Sequence, residues 1–584
     1  MSDFTYKNNV PALINNISDK LVVPVSSGPA NNSFQQFTFN STSNSALSIN
    51  LPIPSESVAI NPRVLLSAKV NITINCANVP VGLPSLNYGI SDAWNSYPIS
   101  STFLQASALI NNANVSVDYQ NVLPFLKLLE DFDSPDLLNS TSPNVINQNW
   151  GLYSQSILSN SSPFGNYNEA NYDNHRIPNG SVPITMIVQH YVGGVLTDAS
   201  LISTATTDTW VIQISTVNNL VEPLGLALSP FISRMNESAT ALLGINTVAL
   251  TINLDAQLKK IWANGSGAVN GAGTGLTSYI TSITAGNVAS NGLLFTGAAL
   301  LLNYYTLTTN QYSKIPTRNI TGFTDYGRQI TPSSLTGAIA PLGTASVVFN
   351  NLQFSQVPLL LAISARLPIS QQSWQYTDNF LSIRNISITF NNAQGIMSSA
   401  TVFDLYNHSV NAGSTQSWYS FSGQANSQQN GEFATIPTLG SMMVIDPSLM
   451  NLSELISIGS LGQYNFQIKM EIFNQYPFTI SPELILMIVN MGSFTSQLGT
   501  SQLNSGLIDM QNAQKAREEP PIPSFDSTQF HRMVGGALHR GVKQFTRYVG
   551  GMMSHRGNPE DVVAEREVTG GKKMSKLKKL LNKI

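Results

Sequence analysis

A chain of 584 residues with 42% hydrophobic and only 10% charged side chains, against roughly 25% charged in an average soluble protein, holds material for about two to four domains or a tandem of large β-domains. Asn, Ser, Thr and Gln carry the polar balance, so the surface is nearly neutral and suits large permanent contacts better than the charge-solubilised surface of a free enzyme. The single cysteine, Cys76, excludes an intrachain disulfide and reads as a small buried hydrophobe.

Residues 1–30, with Pro11, Pro24 and Pro29 and no sustained period, read as an extended N-terminal arm. A charged-then-apolar signal and an apolar run of bilayer length are both missing, which leads us to expect synthesis in a reducing, cytosolic compartment. Strand signals begin at Phe37 and Phe39. They sharpen where Val64, Leu66, Ala68, Val70, Ile72 and Ile74 alternate with Leu65, Ser67, Lys69, Asn71 and Thr73, the period of a half-buried strand. A strand pair is expected to turn at Asn111 and Asn112. The run NVLPFLKLLED over 121–131 predicts a helix, with Pro124 suited to its first turn and Leu128 and Leu129 continuing from Phe125. A polar loop with Trp150, Tyr153, Tyr167 and Tyr172 fills 133–180, and loops of such length usually make contacts. Strand pattern resumes over 210–217 and is strong at Val248, Leu250, Ile252 and Leu254. The Gly/Ser/Ala-rich run 263–291 then reads as a long surface loop or linker between domains.

In the second half, strands are predicted over 298–305, 346–354, 359–365, 386–390 and 442–445. The most regular places Tyr464, Phe466, Ile468, Met470 and Ile472 on one face and Gln463, Asn465, Gln467, Lys469 and Glu471 on the other. The fully apolar run 484–489 fits a strand covered on both faces. Within 381–410 a strand gives way to a polar turn at Gly395 and a short helix capped near Ser398, with Val402, Leu405 and Tyr406 at helical spacing. Two β-rich halves, 31–262 and 292–514, each with one short helix, predict an all-β chain of tandem sandwiches.

Beyond Gln514 the texture changes. Glu519, Pro520, Pro521, Ile522 and Pro523 make a stiff spacer, and residues 515–584 carry 14 Lys and Arg against 7 Asp and Glu, a net +7 on a body of −10. Leu538, Val542, Phe545 and Val549 share a helical face, with Arg540, Lys543 and Arg547 elsewhere. Met574, Leu577, Leu581 and Ile584 repeat the stripe among Lys572, Lys573, Lys576, Lys578, Lys579 and Lys583. Such basic amphipathic segments bind nucleic acid, a membrane surface or a partner's groove; the alternative is a disordered polybasic tail.

The chemistry of catalysis is missing. No HExxH, Walker, GxSxG or CxxC motif occurs. Glu130, Asp131, Asp133 and Asp136 have the chemistry for a hard cation but read better as a solvated helix end. His175, His190 and His408 are scattered and read as structural. The expectation is no catalytic residue, no metal and no cofactor, with a glycan-binding β-sandwich spike as the alternative function. A glycosidase would need paired carboxylates that only the fold brings together.

Several stretches in order carry a resemblance: Tyr97, Pro98 and Ile99 before the hairpin at Asn111, VEPLGLALSPFI at 221–232, GINTVALTINL at 244–254, LSIRNISITFNNAQGIMSSATVFDLY at 381–406 and SLGQYNFQIKMEIFNQ at 460–475. Together they make the chain resemble the double jelly-roll major capsid proteins of virophages, polinton-like viruses and adintoviruses, in the lineage of the adenovirus hexon. The resemblance spans most of 52–491. It implies two tandem eight-stranded jelly-roll sandwiches with long loop insertions and a few short helices, plus the basic C-terminal tail. It further implies a homotrimer forming pseudo-hexagonal capsomers, which tile an icosahedral virion shell beside neighbouring capsomers and a minor, penton-type capsid protein. Met533, Val534, Gly535, Gly536 and Ala537 are similar to the M-x-G-G-x sites cut by adenovirus-type viral maturation proteases. By that likeness, cleavage after Gly536 would release a peptide with 11 basic and 4 acidic residues. The tail would then face viral DNA, an inner membrane or a minor protein.

Overall fold

The computed structural model describes residues 31–51, 58–61, 64–77, 92–95, 97–129, 142, 182–197, 208–223, 242–264, 279–307, 319–332, 338–372, 374, 379–391, 393–429, 432–447, 460–497, 499–505 and 508–509. The segment 1–30, all of 133–180 except Ser142, and the tail 515–584 lie outside them.

Two sets of eight strands carry the architecture. The first set is β1 (Asn31–Thr38), β2 (Ala46–Leu51), β3 (Leu65–Ala77), β4 (Phe103–Ile110), β5 (Ala113–Val117), β6 (Thr209–Thr216), β7 (Val248–Leu254) and β8 (Phe295–Thr306). One antiparallel sheet runs β1-β8-β3-β6 and the other β2-β7-β4-β5. The second set is β9 (Asn319–Pro332), β10 (Thr344–Gln356), β11 (Leu360–Arg366), β12 (Ser382–Phe390), β13 (Ala393–Ile396), β14 (Met443–Ile445), β15 (Ser460–Phe473) and β16 (Glu483–Gln497). Its sheets run β9-β16-β11-β14 and β10-β15-β12-β13. Adding eight to each label of the first sandwich gives the second, so the jelly-roll plan occurs twice.

The sequence builds these strands by alternation. In β15, Tyr464, Phe466, Ile468, Met470 and Ile472 are buried while Asn465, Gln467, Lys469 and Glu471 are exposed, because successive side chains leave a strand on opposite faces. In β7 the same period buries Val248, Leu250, Ile252 and Leu254. Beside them on the paired strand β2 lie Leu47 and Ile49, and across the first interior stand Val70, Ile72 and Ile74; the second interior is filled by Val347, Phe349, Ile386, Ile388, Ile468 and Met470. Each such side chain contributes about 1.5–3 kcal/mol on leaving water.

The boundary between the sandwiches falls later than the sequence predicts. Strand Ile280–Ala285 pairs with β3, and β8 pairs with both β1 and β3. Residues 280–306 therefore complete the first sandwich, and the change-over lies between Thr306 and Asn319 rather than in 263–291. The reason is topological. The last strand of a jelly roll returns by a long connection to the middle of its sheet, and a Gly/Ser-rich stretch in that connection looks like a linker to any local reading.

Among the described residues, three α-helices are placed by the strands before them. Helix α1 (Tyr119–Leu126) follows β5, while α2 (Val402–Asn411) and α3 (Trp418–Ser422) follow β13. Against the expected 121–131, α1 starts two residues earlier and Pro124 lies inside it. The cap of α2 is Thr401 rather than Ser398: its hydroxyl accepts from the Asp404 N–H, and the Asp404 carboxylate accepts from the Thr401 N–H at 2.9 Å. This reciprocal pair satisfies two donors that the first helical turn leaves open.

Candidate assembly interface

Strands β11 and β16 are apolar on both faces. Leu361, Ile363, Leu484, Leu486 and Ile488 fill the second sandwich, while Leu360, Ala362, Ile485, Met487 and Val489 join the core of the first. The outer face of one sheet is thus the floor on which the other sandwich sits. A contact so apolar along these two strands holds the two together far more firmly than the polar, mobile interface usual between domains.

Helix α1 is the wedge of this junction, with Tyr119, Val122, Leu123, Phe125 and Leu126 all buried. The Phe125 ring lies 5.7 Å from that of Phe380 across the junction. Pro124 has no N–H for the carbonyl of Gln120 one turn back; the Lys260 Nζ donates to that carbonyl instead, at 3.2 Å. Arg366, fully buried at the end of β11, donates through Nη2 to Asn121 Oδ1 and to Glu483 Oε2, each at 2.8 Å. At the far end of α1 the Thr415 N–H donates to the Leu128 carbonyl at 2.8 Å. A second seam joins Asn111 Nδ2 to Ser501 Oγ at 2.8 Å, the Ser501 N–H to Asn112 Oδ1 at 2.6 Å, and Ser496 Oγ to the Leu243 carbonyl at 2.6 Å.

The hairpins before the helices repeat at atomic detail. Asn111, between β4 and β5, has φ 53°, and Asn391, between β12 and β13, has φ 48°, the left-handed region that Asn tolerates better than most residues. Asn111 donates its N–H to the Thr247 carbonyl at 2.8 Å and accepts from the Asn246 N–H at 2.8 Å. Asn391 donates to the Asn465 carbonyl at 2.9 Å and accepts from the Asn465 N–H at 3.0 Å. In each sandwich the turn is thus pinned to corresponding strands, at the start of β7 in one and within β15 in the other.

The helices themselves diverge. In α2 only Leu405 and Ser409 are buried, with Ser409 Oγ donating to Met443 Sδ at 3.1 Å and accepting from the Val444 N–H at 3.1 Å. Facing outward are Phe403 at 55% exposure, Val410 at 38% and, from α3, Tyr419 at 61%. They border a ring cluster in which Trp418 lies 5.5 Å from Phe403 and 5.6 Å from Tyr406. On β1, Phe34 is 64% exposed.

Two polar sites are buried in the first sandwich. The Glu222 carboxylate accepts from the N–H groups of Ile99 and Ser100 and the hydroxyls of Ser100 and Ser142, at 2.7–2.9 Å. Burial pushes its carboxyl above the ordinary value, opposed by these donors. His190 meets Asp208 at 2.9 Å and stacks on Trp210 with centroids 4.1 Å apart. His408 sits in the last turn of α2. Sequence reading missed Arg366 and Glu222. Its available signal was a lone charge inside or beside an apolar strand in a chain so poor in charge.

His175, the acidic residues Glu130, Asp131, Asp133 and Asp136, the processing motif Met533, Gly535, Gly536 and Ala537, and the basic residues Arg540, Lys543, Arg547, Lys572, Lys573, Lys576, Lys578, Lys579 and Lys583 all lie outside the described residues. Among the described residues no group of three His, Cys, Asp or Glu is placed to hold a metal.

Comparison with known proteins follows the same division into two. The family model for the Sputnik virophage major capsid protein first domain matches residues 2–305, and that for the major capsid protein V20 C-terminal domain matches 326–492. The interval between the two matches, 306–325, contains the change-over between β8 and β9. The putative capsid protein V20 of Sputnik virophage is 23% identical over 544 residues, covering 89% of this chain and 83% of that protein. A chain of the Sputnik virophage cryo-EM structure superposes with a TM-score of 0.68 at 20% identity, covering 91% of this chain and 98% of that one. The mavirus major capsid protein gives 0.60 at 13% identity, covering 89% and 99%. With both of its sandwiches matched in order, the chain belongs to the virophage major capsid protein family, double jelly-roll subunits of the virion shell.

Proposed function

We propose that three copies of this chain assemble into a pseudo-hexagonal capsomer, in which six sandwiches form a ring, and that these capsomers tile an icosahedral shell beside a minor, penton-type protein. The observation that carries this reading is the double use of one strand order within a chain, joined by a largely apolar junction. Two like sandwiches fixed side by side give a threefold assembly six similar outer faces, and closed symmetric rings are the common solution for identical subunits. Low charge supports the same reading, since only 10% of residues are charged and copies approach without long-range repulsion. Light scattering on the purified full-length chain tests it: a mass of three chains with a hexagonal outline by electron microscopy is expected, and a monomer at all concentrations overturns it.

The tail extends the proposal. A viral maturation protease cuts after Gly536, and the basic segment 537–584 serves viral DNA, an inner membrane or a minor protein. Peptide mapping of mature particles should find a C-terminus at Gly536; chains ending at Ile584 would remove the processing step and leave the shell role intact.

A further inference from the structure

The α2–α3 surface is apolar and outward-facing, and its counterpart in the first sandwich is already covered. Both α1 and α2 follow corresponding strands, β5 and β13, and each packs on its own sandwich, α1 against β4 and α2 against the corresponding β12. The opposite side of α1 meets the neighbouring sandwich, where it approaches β9 and the sheet β9-β16-β11-β14. The counterpart of β9 is β1. Among the described residues no helix packs on β1 as α1 packs on β9. Phe37 packs towards the first core while Phe34, an odd number of residues away, points to the other face and is 64% exposed. Among the described residues the chain therefore carries one half of the α1-to-β9 contact at each of two separated places: an exposed helix face with Phe403, Val410 and Tyr419, and the exposed face of the edge strand β1 with Phe34.

We infer that the β1 edge of a second copy covers the α2–α3 surface, so that Phe34 of one chain meets Phe403 and Tyr419 of the next. The inference rests on the trimer reading and assigns its interchain contact. Repeating one contact alternately within and between chains is a head-to-tail arrangement, the kind that closes into a ring. The two versions differ in polarity. The outer face of the sheet β9-β16-β11-β14 presents Leu360, Ala362, Ile485, Met487 and Val489, whereas that of β1-β8-β3-β6 presents Lys69, Thr73 and Asn75 along β3. The interchain contact is accordingly the wetter one, with its affinity concentrated in a few aromatic side chains.

Three variants of the full-length chain test this by light scattering and circular dichroism: Phe34→Asp, Phe403→Asp and Tyr419→Asp. Each should fall from three chains to one while keeping the β spectrum of the parent. Separately, Phe34→Cys and Phe403→Cys chains are mixed and mildly oxidised; a disulfide-linked heterodimer is expected, and Cys76, at 2% exposure, leaves little background. Should Phe403→Asp fail to fold, Phe34→Asp on the exposed edge and the cysteine pair decide. Trimers that survive the Asp substitutions, or that form without the crosslink, overturn this contact and leave the trimer standing. A parent chain that is monomeric overturns both.

Discussion

The two sandwiches share a strand order, a hairpin and a helix after it, yet they spend their apolar surface differently. The first closes α1 inside the chain, where Phe125 meets Phe380; the second leaves Phe403 and Tyr419 in solvent. The second buries both faces of β11 and β16, while the first keeps Lys69, Thr73 and Asn75 on the outside of β3. Duplicated architecture thus does not imply duplicated surfaces. The plan is set by the periodic interior, and each outer face takes the chemistry of whatever lies beyond it.

The sharpest way to break this comparison is at the junction. Arg366→Ala removes a buried guanidinium from Asn121 and leaves Glu483 without its partner, and losing one member of such a pair costs about 3–5 kcal/mol. Urea unfolding should show that loss; a change below about 1 kcal/mol would mean the pair behaves as a surface contact. Next come the two aromatic residues of the matched helices. Phe125→Ala should cost about 3–5 kcal/mol by opening a cavity, whereas Phe403→Ala in the dissociated chain should stay within about 0.5 kcal/mol. Equal costs would erase the distinction between covered and open helices.

The hairpins should respond alike but unequally. Asn111→Ala and Asn391→Ala each force a side chain with a Cβ and no local hydrogen bond into the left-handed region, at about 1–2 kcal/mol. Asn111 should lose more, because Nδ2 also holds Ser501 across the junction. The smallest effect lies at the cap of α2. Thr401→Ala should cost about 1 kcal/mol, read as a small shift in thermal midpoint. The hydrogen bonds from Thr401 hold the Asp404 carboxyl below its ordinary value of 3.8. A folded-state value below the unfolded one gives stability that is present above pH 3.8 and is lost as pH falls through the lower, folded value. Circular dichroism across that window in Asp404→Asn should lack the step.

Much of this was legible in the chain. The alternation in 464–472 reads directly as the inside and outside of β15, and the uninterrupted apolar run 484–489 announces a strand covered on both faces. The repeated tripeptide Asn-Asn-Ala, at 111–113 and 391–393, marks the two matched hairpins, although only their hydrogen bonds to β7 and β15 show that they correspond. What the chain could not show is pairing across long connections. Period two says that β8 has an inside and an outside but not that it returns to β3, so a local reading places the domain boundary too early. Arg366 and Glu222 were hidden for the same reason, since Asn121 and Ile99 lie more than a hundred residues from them.

A sheet that is oily on both sides has no safe solitary state. Residues 319–509 are synthesised after 31–306, and domains generally fold as units with the N-terminal one first, so we expect β11 and β16 to emerge beside the sandwich whose core they join. Made alone, that fragment should precipitate; supplied with residues 31–306 during refolding, it should stay in solution. The linear order of the gene would then be part of how the subunit escapes aggregation in a cell crowded with its own copies.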